Sequence, residues 1–467
     1  MKNKIFPTYS KALFSLSVLL LLSVSTYSQL KVGTAAVKIT PPLGTPLAGQ
    51  YFERGAAVIH DDLFAKAMVF EKDGEKVVLV SCDLVEVTAQ LVSEARRLAN
   101  QNTGIVANHI MIAATHSHTG PVIPSPGNIN TVKVKSADIL ANYISKLPGL
   151  IAESIKLAND ALQPANILFG LGHEETISFN RRFFMTDGTV GWNPGKLNPM
   201  IIKPAGPIDP DVSVLYAESP TGKPILTFVD FAIHLDITGG SEISADMPYS
   251  LSKNLERVKG TDMTTIFAQG CSGNINHIDV KSAVAQYGHM EAERIGAVLA
   301  GEVIRTYSQL KPFAVPDISV KSEIIQLPLA KISTDDLEWA REVAGKYGKV
   351  DAAPFMDMVK AFKIIDVYER KGKLMDAEVQ VFALGNTCAI VSLPGEIFTE
   401  LGMYIKSRSP YPNTILVELA NDCIDYIPDM KAYMEGNYEP VSARCAPGSG
   451  EILAAKVLEM LNEMKHN

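Results

Sequence analysis

Two hydrophobic periodicities alternate along most of this chain. Continuous apolar, β-branched runs predict strands over residues 64–70, 77–81, 109–114, 167–171, 214–217, 225–231, 264–268, 319–327, 379–384 and 388–393. Between them, apolar residues recur at helical spacing over 91–100, 136–162, 248–258, 284–310, 334–347 and 449–464. Asp73-Gly74 separates the first two strands and Gly385-Asn386 the last two, and both pairs suit the positive φ angles of a two-residue hairpin. Pro148 breaks or kinks the helix that contains it. Hairpins coexist with strand–helix alternation, so the expected fold is α/β: a mixed sheet core flanked by helices, in a single large domain. The Gly-, Pro- and Asn-rich stretch 184–210 predicts a long loop, which in a compact domain tends to be functional.

The first residues break this pattern. Lys2, Lys4 and Lys11 flank an apolar run from Ala12 to Val24, followed by Thr26, Ser28 and Gln29. This is the layout of a secretory signal peptide cleaved after Ser28. The run is short of the roughly 20 residues needed to span a bilayer. No later stretch is long and apolar enough for a membrane helix, so the expectation is a secreted or periplasmic protein without stable membrane insertion. The net charge of −8 and the lack of a polybasic patch argue against nucleic acid as a partner. Five cysteines without CxxC spacing do not make a disulfide scaffold. Cys82 and Cys388 lie in strand-like runs as small apolar residues, and Cys423 and Cys445 are free or paired with each other.

Candidate chemistry gathers where apolar runs end. His116 and His118 follow the run 109–114 and, in an extended chain, would point the same way. Two imidazoles aimed at one spot suit a metal ion or a reacting carbonyl, and equally a turn in which both rings bond to nearby backbone. His234 closes the run 226–233, as a ligand or as a core histidine. Glu396 follows 388–393, as a ligand or as a charge at a helix N-terminus. Two histidines and a carboxylate from separate elements make a hydrolytic zinc site, where the metal brings the pKa of a water to about 7. The loop Gln269-Gly270-Cys271-Ser272-Gly273-Asn274 offers donors from Ser272 and Asn274 to a substrate, or is a plain turn. It is not a GxSxG elbow.

Taken in order, these segments resemble the catalytic domain of the neutral/alkaline, non-lysosomal ceramidase family. The resemblance runs from Val32-Gly33-Thr34-Ala35-Ala36-Val37-Lys38-Ile39-Thr40-Pro41 through His60-Asp61-Asp62-Leu63-Phe64-Ala65-Lys66-Ala67 to Asn437-Tyr438-Glu439 and on to Pro447. Its most specific segment is Thr115-His116-Ser117-His118-Thr119-Gly120-Pro121, followed by Phe231-Ala232-Ile233-His234, Leu393-Pro394-Gly395-Glu396 and Asp425-Tyr426-Ile427-Pro428.

The resemblance implies that His116, His234, Glu396 and Tyr426 hold one zinc ion. It implies that His118 faces the substrate amide, that Tyr438 contacts the reacting carbonyl, and that Arg181, next to Arg182, lies near the scissile group. Ser272 falls where the family has a serine in a Gly-Asp-Val-Ser-Pro-Asn stretch, which this chain does not preserve. Asp246, in Ser244-Ala245-Asp246-Met247, matches a family aspartate. The implied organisation is a signal peptide over 1–28 and a zinc hydrolase domain over 29–467, without the family's C-terminal β-sandwich domain. The implied reaction is hydrolysis of the N-acyl bond of ceramide or a related N-acyl lipid, in a deep apolar slot. Phe183, Phe184, Met185, Trp192, Met247 and Tyr249 are the candidate lining, or ordinary core. Two alternatives remain: the same chemistry on an acylated sugar, an acylated amino acid or an ester, and a non-catalytic binding protein on this fold.

Overall fold

The computed structural model of the protein describes residues 1, 29–124, 137–349 and 352–466. The segment read as a signal peptide lies outside the described residues.

The strands form three principal sheets. The first runs Ile110–Ala114, Glu75–Cys82, Phe64–Lys72, Lys31–Lys38, Gln163–Pro164; the second Thr264–Gln269, Pro224–Phe231, Asp211–Glu218, Asn166–His173, Lys311–Pro312; the third Ile318–Leu327, Met375–Leu384, Cys388–Ser392, Asn413–Val417. Strand alternation gives each sheet two apolar faces. Leu79 and Met111 of the first sheet, Phe228 and Ile266 of the second, and Ile390 and Ile415 of the third share one central core. The opposite faces meet helices. Ala89–Thr103 and Ala137–Asp160 cover the first sheet, Met247–Lys259 and His289–Tyr307 the second, and Thr399–Arg408 and Ser449–His466 the third. This is the mixed α/β architecture expected, with the core divided among several sheets.

Each principal sheet contains one parallel pair: Glu75–Cys82 with Ile110–Ala114, Pro224–Phe231 with Thr264–Gln269, and Cys388–Ser392 with Asn413–Val417. The chain after Val417 joins them. Glu418 N–H donates to Gln269 O (2.9 Å), and Ala114 N–H donates to Leu419 O (3.1 Å). The carboxyl ends of the three pairs are thereby drawn together, the place where α/β folds collect ligands.

Local expectations fare unevenly. Asp73 and Gly74 both have positive φ (53° and 91°) and close the expected hairpin. The turn at Gly385 takes one residue more, since Leu384 pairs with Cys388. The helix Ala137–Asp160 runs through Pro148 without interruption. The helix expected from 284 starts at His289, because Gly288 adopts φ 93° before it. The stretch 184–210 is not one long loop. Arg182–Met185, Val190–Trp192 and Ile201–Pro204 make a three-stranded sheet, too short and too mixed in composition to show a period. The helix Phe355–Glu369 gave no helical signal because apolar residues surround it on every side. All five cysteines are free thiols, Cys423 and Cys445 included.

Candidate metal centre and active site

The strand Ile110–Ala114 ends before His116, and the chain then turns. His116 adopts φ 73°, a left-handed conformation that costs on the order of 1–3 kcal/mol for a residue with a Cβ. Backbone bonds on either side enforce it: Thr115 N–H to Cys82 O (2.9 Å) and Ser117 N–H to Leu84 O (3.0 Å). The two rings therefore meet through a turn and not through strand alternation. His116 Nε2 lies 3.3 Å from His118 Nε2 and 3.1 Å from His234 Nε2. His118 N–H donates to Leu235 O (3.2 Å), which ties the two histidine segments together. Gly49 packs so closely on His118 that a Cβ there would fall 2.5 Å from the His118 Cβ.

Hydrogen bonding fixes the tautomers. His116 Nδ1 meets Val85 O at 2.8 Å, and His118 Nδ1 meets Gly49 O at 3.1 Å. A carbonyl only accepts, so both Nδ1 atoms carry the proton and both Nε2 atoms point inward; burial opposes a charge on His116, but Glu396 beside it raises its pKa. Burial and the neighbouring His116 push His118 down to about 4, and burial holds His234 well below the usual imidazole range. Three ring nitrogens thus converge at close range, two of them on rings that burial holds neutral, an arrangement that suits a cation between them.

Glu396 completes the cluster. Its Oε2 lies 3.5 Å from His116 Nε2 and 3.9 Å from His234 Nδ1. Glu396 Oε2 and His234 Nδ1 are both buried without a hydrogen-bond partner. Burial alone would raise the Glu396 pKa; His116, Arg181 and the Tyr426 hydroxyl outweigh it and hold the group charged. Tyr426 arrives by strand pairing, as the register partner of Glu396 in a short parallel bridge. His116, His118 and His234 form a buried group able to hold a metal ion. The orphaned carboxylate oxygen of Glu396, with Tyr426 beside it, lies at the edge of this group, and such a donor set suits a divalent cation.

Arg181 and Arg182 alternate around the buried Glu439. Arg181 Nε donates to Glu439 Oε1 (2.8 Å) and its Nη2 to Gly273 O (2.8 Å), with its guanidinium 5.4 Å from the Tyr426 ring centroid. Arg182 Nη1 donates to Glu439 Oε2 (2.9 Å) and its Nη2 to Glu435 (3.2 Å), away from the centre. Of the two, Arg181 acts on Glu396, from behind Tyr426. Tyr438 does line the cavity: its ring stacks on Trp192 (4.3 Å) and its hydroxyl meets that of Tyr51 (2.9 Å).

Five expected site residues do not line the cavity: His234 and Arg181, which are buried but touch His116 and Tyr426, and Ser272, Asn274 and Asp246, which serve the protein elsewhere. The Ser272 hydroxyl is buried, donates to Glu418 and accepts from Gln269 Nε2 (2.7 Å). Asn274 holds Thr399 N–H (2.9 Å) and Glu400 (2.7 Å). Asp246 caps the helix Met247–Lys259 and binds Thr238 N–H (2.8 Å). The glycines beside Ser272 likewise serve the protein: a Cβ on Gly273 would sit 2.5 Å from Glu396 O. None of the six apolar residues proposed to line a slot lines the cavity; Met247 lies in the core of the second sheet.

Sequence reasoning missed Glu418. This buried carboxyl is pushed up to about 8, chiefly by burial, and accepts Ile397 N–H at 2.8 Å directly after Glu396. It ends a strand just as Glu396 does, and that shared position was the available signal. Tyr51, Glu439 and the Asp236–His277 ion pair (3.1 Å) were also missed, because their partners lie far away in the chain.

No known family profile matches the chain. A curated relative, neutral ceramidase from Pseudomonas aeruginosa, is 27% identical over 237 residues, 48% of this chain and 33% of that protein. The crystal structure of neutral ceramidase from Pseudomonas aeruginosa superposes with a TM-score of 0.75 at 19% identity, covering 94% of this chain and 75% of that one. The chain is thus similar to neutral ceramidase in sequence over about half its length and in fold over nearly all of it. A solved structure described as ceramidase complexed with C2 superposes with a TM-score of 0.72 at 18% identity and the same coverage. The sequence match spans only a third of the Pseudomonas neutral ceramidase, so activity and substrate are argued below from this chain's own site.

Proposed function

We propose that the protein is an exported, zinc-dependent amidase that hydrolyses the N-acyl bond of ceramide or a related N-acyl lipid. The observation that carries this reading is the convergence of inward-facing imidazole nitrogens beside a buried carboxylate oxygen that lacks a hydrogen-bond partner. A relative named neutral ceramidase supports the choice of reaction. The signal-peptide pattern of residues 1–28 supports export.

His116, His234, Glu396 and Tyr426 would hold the zinc ion, which supplies a Lewis acid and brings the pKa of a water toward neutrality. The Val85 and Gly49 carbonyls fix the rings of His116 and His118, so that little reorganisation is needed on binding. His118, its Nδ1–H held by Gly49 O, presents Nε2 to the centre and would carry a proton at that atom to the leaving amine. The Tyr438 hydroxyl, oriented by Tyr51, is placed to donate to the scissile carbonyl. Arg181, locked by Glu439 and Gly273 O, keeps Glu396 ionised and Tyr426 in place.

The test is direct. Purified protein should contain about one zinc per chain and release fatty acid from ceramide or another N-acyl lipid; a chain with no metal and no turnover would be a binding protein on this fold.

A further inference from the structure

The cavity in front of the histidines is neither large nor greasy. It measures ≈ 180 Å³. That is below the ≈ 300–1,000 Å³ of sites that enclose drug-sized ligands. It has room for the amide and a short head group. Its walls carry Lys363, Arg370 and Arg444 as well as the catalytic candidates.

These cations come largely from one helix face. In Phe355–Glu369 and its C-cap, Val359, Lys363, Asp366 and Arg370 recur at intervals of four, three and four, a single stripe. Val359 packs into the cluster of Tyr426 and Tyr438, which turns the stripe toward the reaction centre. Further along, the charges are only partly matched. Arg444 joins Asp366 (3.0 Å) and Asp425 (2.5 Å), and Arg370 Nη2 reaches Asp366 at 3.4 Å.

Two donors are left over. Arg370 Nε is buried with no acceptor. Lys363 has no carboxylate within ion-pair distance among the described residues; the charges that act on it most are the cations Lys360 and Arg444. Of the carboxylates lining the same cavity, Glu396 lies at the centre and Asp425 binds Arg444. A half-buried ammonium and a buried guanidinium N–H without acceptors, on one wall, make a receptor for an anion.

We propose that the amine portion of the substrate carries a carboxylate that Lys363 and Arg370 bind, so that the site takes N-acyl amino acids in preference to neutral N-acyl amines such as ceramide. This rests on the amidase reading above and narrows its substrate class. It agrees with the cavity's size, because an amino acid head is short where a sphingoid base brings a second alkyl chain.

A matched pair of substrates tests it. N-lauroylglycine and N-lauroylethanolamine share their acyl chain and differ by a carboxylate against a hydroxymethyl group. The full-length protein should show a kcat/KM about tenfold or more higher for the acylglycine, a ratio equivalent to one charge-assisted hydrogen bond. Lys363→Met should collapse that ratio, chiefly through KM for the acylglycine. Lys363→Arg should keep it, and Lys360→Met, off the stripe, should not change it. Calorimetric binding of the same two amides to metal-stripped protein gives a readout free of turnover, with the acylglycine tighter and its advantage lost in Lys363→Met. Equal rates and equal binding for the pair, or a ratio unmoved by Lys363→Met, would overturn the proposal. If neither amide is hydrolysed, the amidase reading falls, and the calorimetric preference still decides whether the wall binds a carboxylate.

Discussion

Among the described residues, two histidine clusters have a composition that could hold a metal, and they differ in what their nitrogen atoms do. Around His116, His118 and His234 the rings are buried or half-buried, backbone carbonyls hold Nδ1 of His116 and His118, and His234 Nδ1 and a carboxylate oxygen beside it lack hydrogen-bond partners. Around His60, Asp61 and His289 the two rings lie flat on each other at 3.5 Å near the surface. There His60 Nδ1 meets Asp61 (3.0 Å), His289 Nε2 meets Glu242 (2.6 Å), and Asp61 also accepts from Ser244 (2.6 Å) and Ala245 N–H (2.7 Å). The first cluster is incomplete without a further group; the second is complete as it stands. Proximity of ligand types is therefore a weak signal, and unsatisfied buried lone pairs are a strong one.

The sharpest way to break this contrast is to remove the first cluster. His234→Ala and Glu396→Ala should each lower amide hydrolysis by about 10³ or more and strip the metal, measured by turnover and metal analysis. Full activity in either variant would show that the ligand assignment is wrong. Ser272→Ala should keep measurable turnover, because the hydroxyl serves Glu418 and not the substrate. It should lower stability by about 1–3 kcal/mol in denaturant unfolding, as a buried carboxyl loses its donor. An acyl group trapped on Ser272 would refute this.

A smaller effect belongs to the surroundings of the second cluster. Asp83 shares a cavity with His60 and Asp61, and burial pushes its pKa up to about 6. The folded state thus holds a proton that the unfolded chain releases near pH 4. The stabilisation is full below that pH and is lost as pH rises through about 6; Asp83→Asn should flatten this part of the stability–pH curve, measured by thermal unfolding. The smallest expected effect is none at all: the His60→Ala, His289→Ala double variant should retain both bound metal and turnover. A loss of metal in that variant would erase the distinction between the clusters.

The sequence by itself determined which chain segments would meet solvent or core, because a strand or helix period is a local property. It located the ends of the runs that deliver His116, His234 and Glu396, and the two-residue turn at Asp73-Gly74. It could not say which polar groups face the cavity. Ser272 and Asn274 stand beside the ligands in the loop pattern, yet the packing of Gly273 on Glu396 turns them inward to Glu418, Thr399 and Glu400. Asp246 is drawn into a helix cap in the same way. Tyr426 joins Glu396 only because two short strands pair in register, and Lys363 reaches the cavity only because an evenly apolar helix docks on Tyr438. Side-chain orientation at a site depends on contacts between segments hundreds of residues apart, and those contacts leave no periodic trace in the chain that makes them.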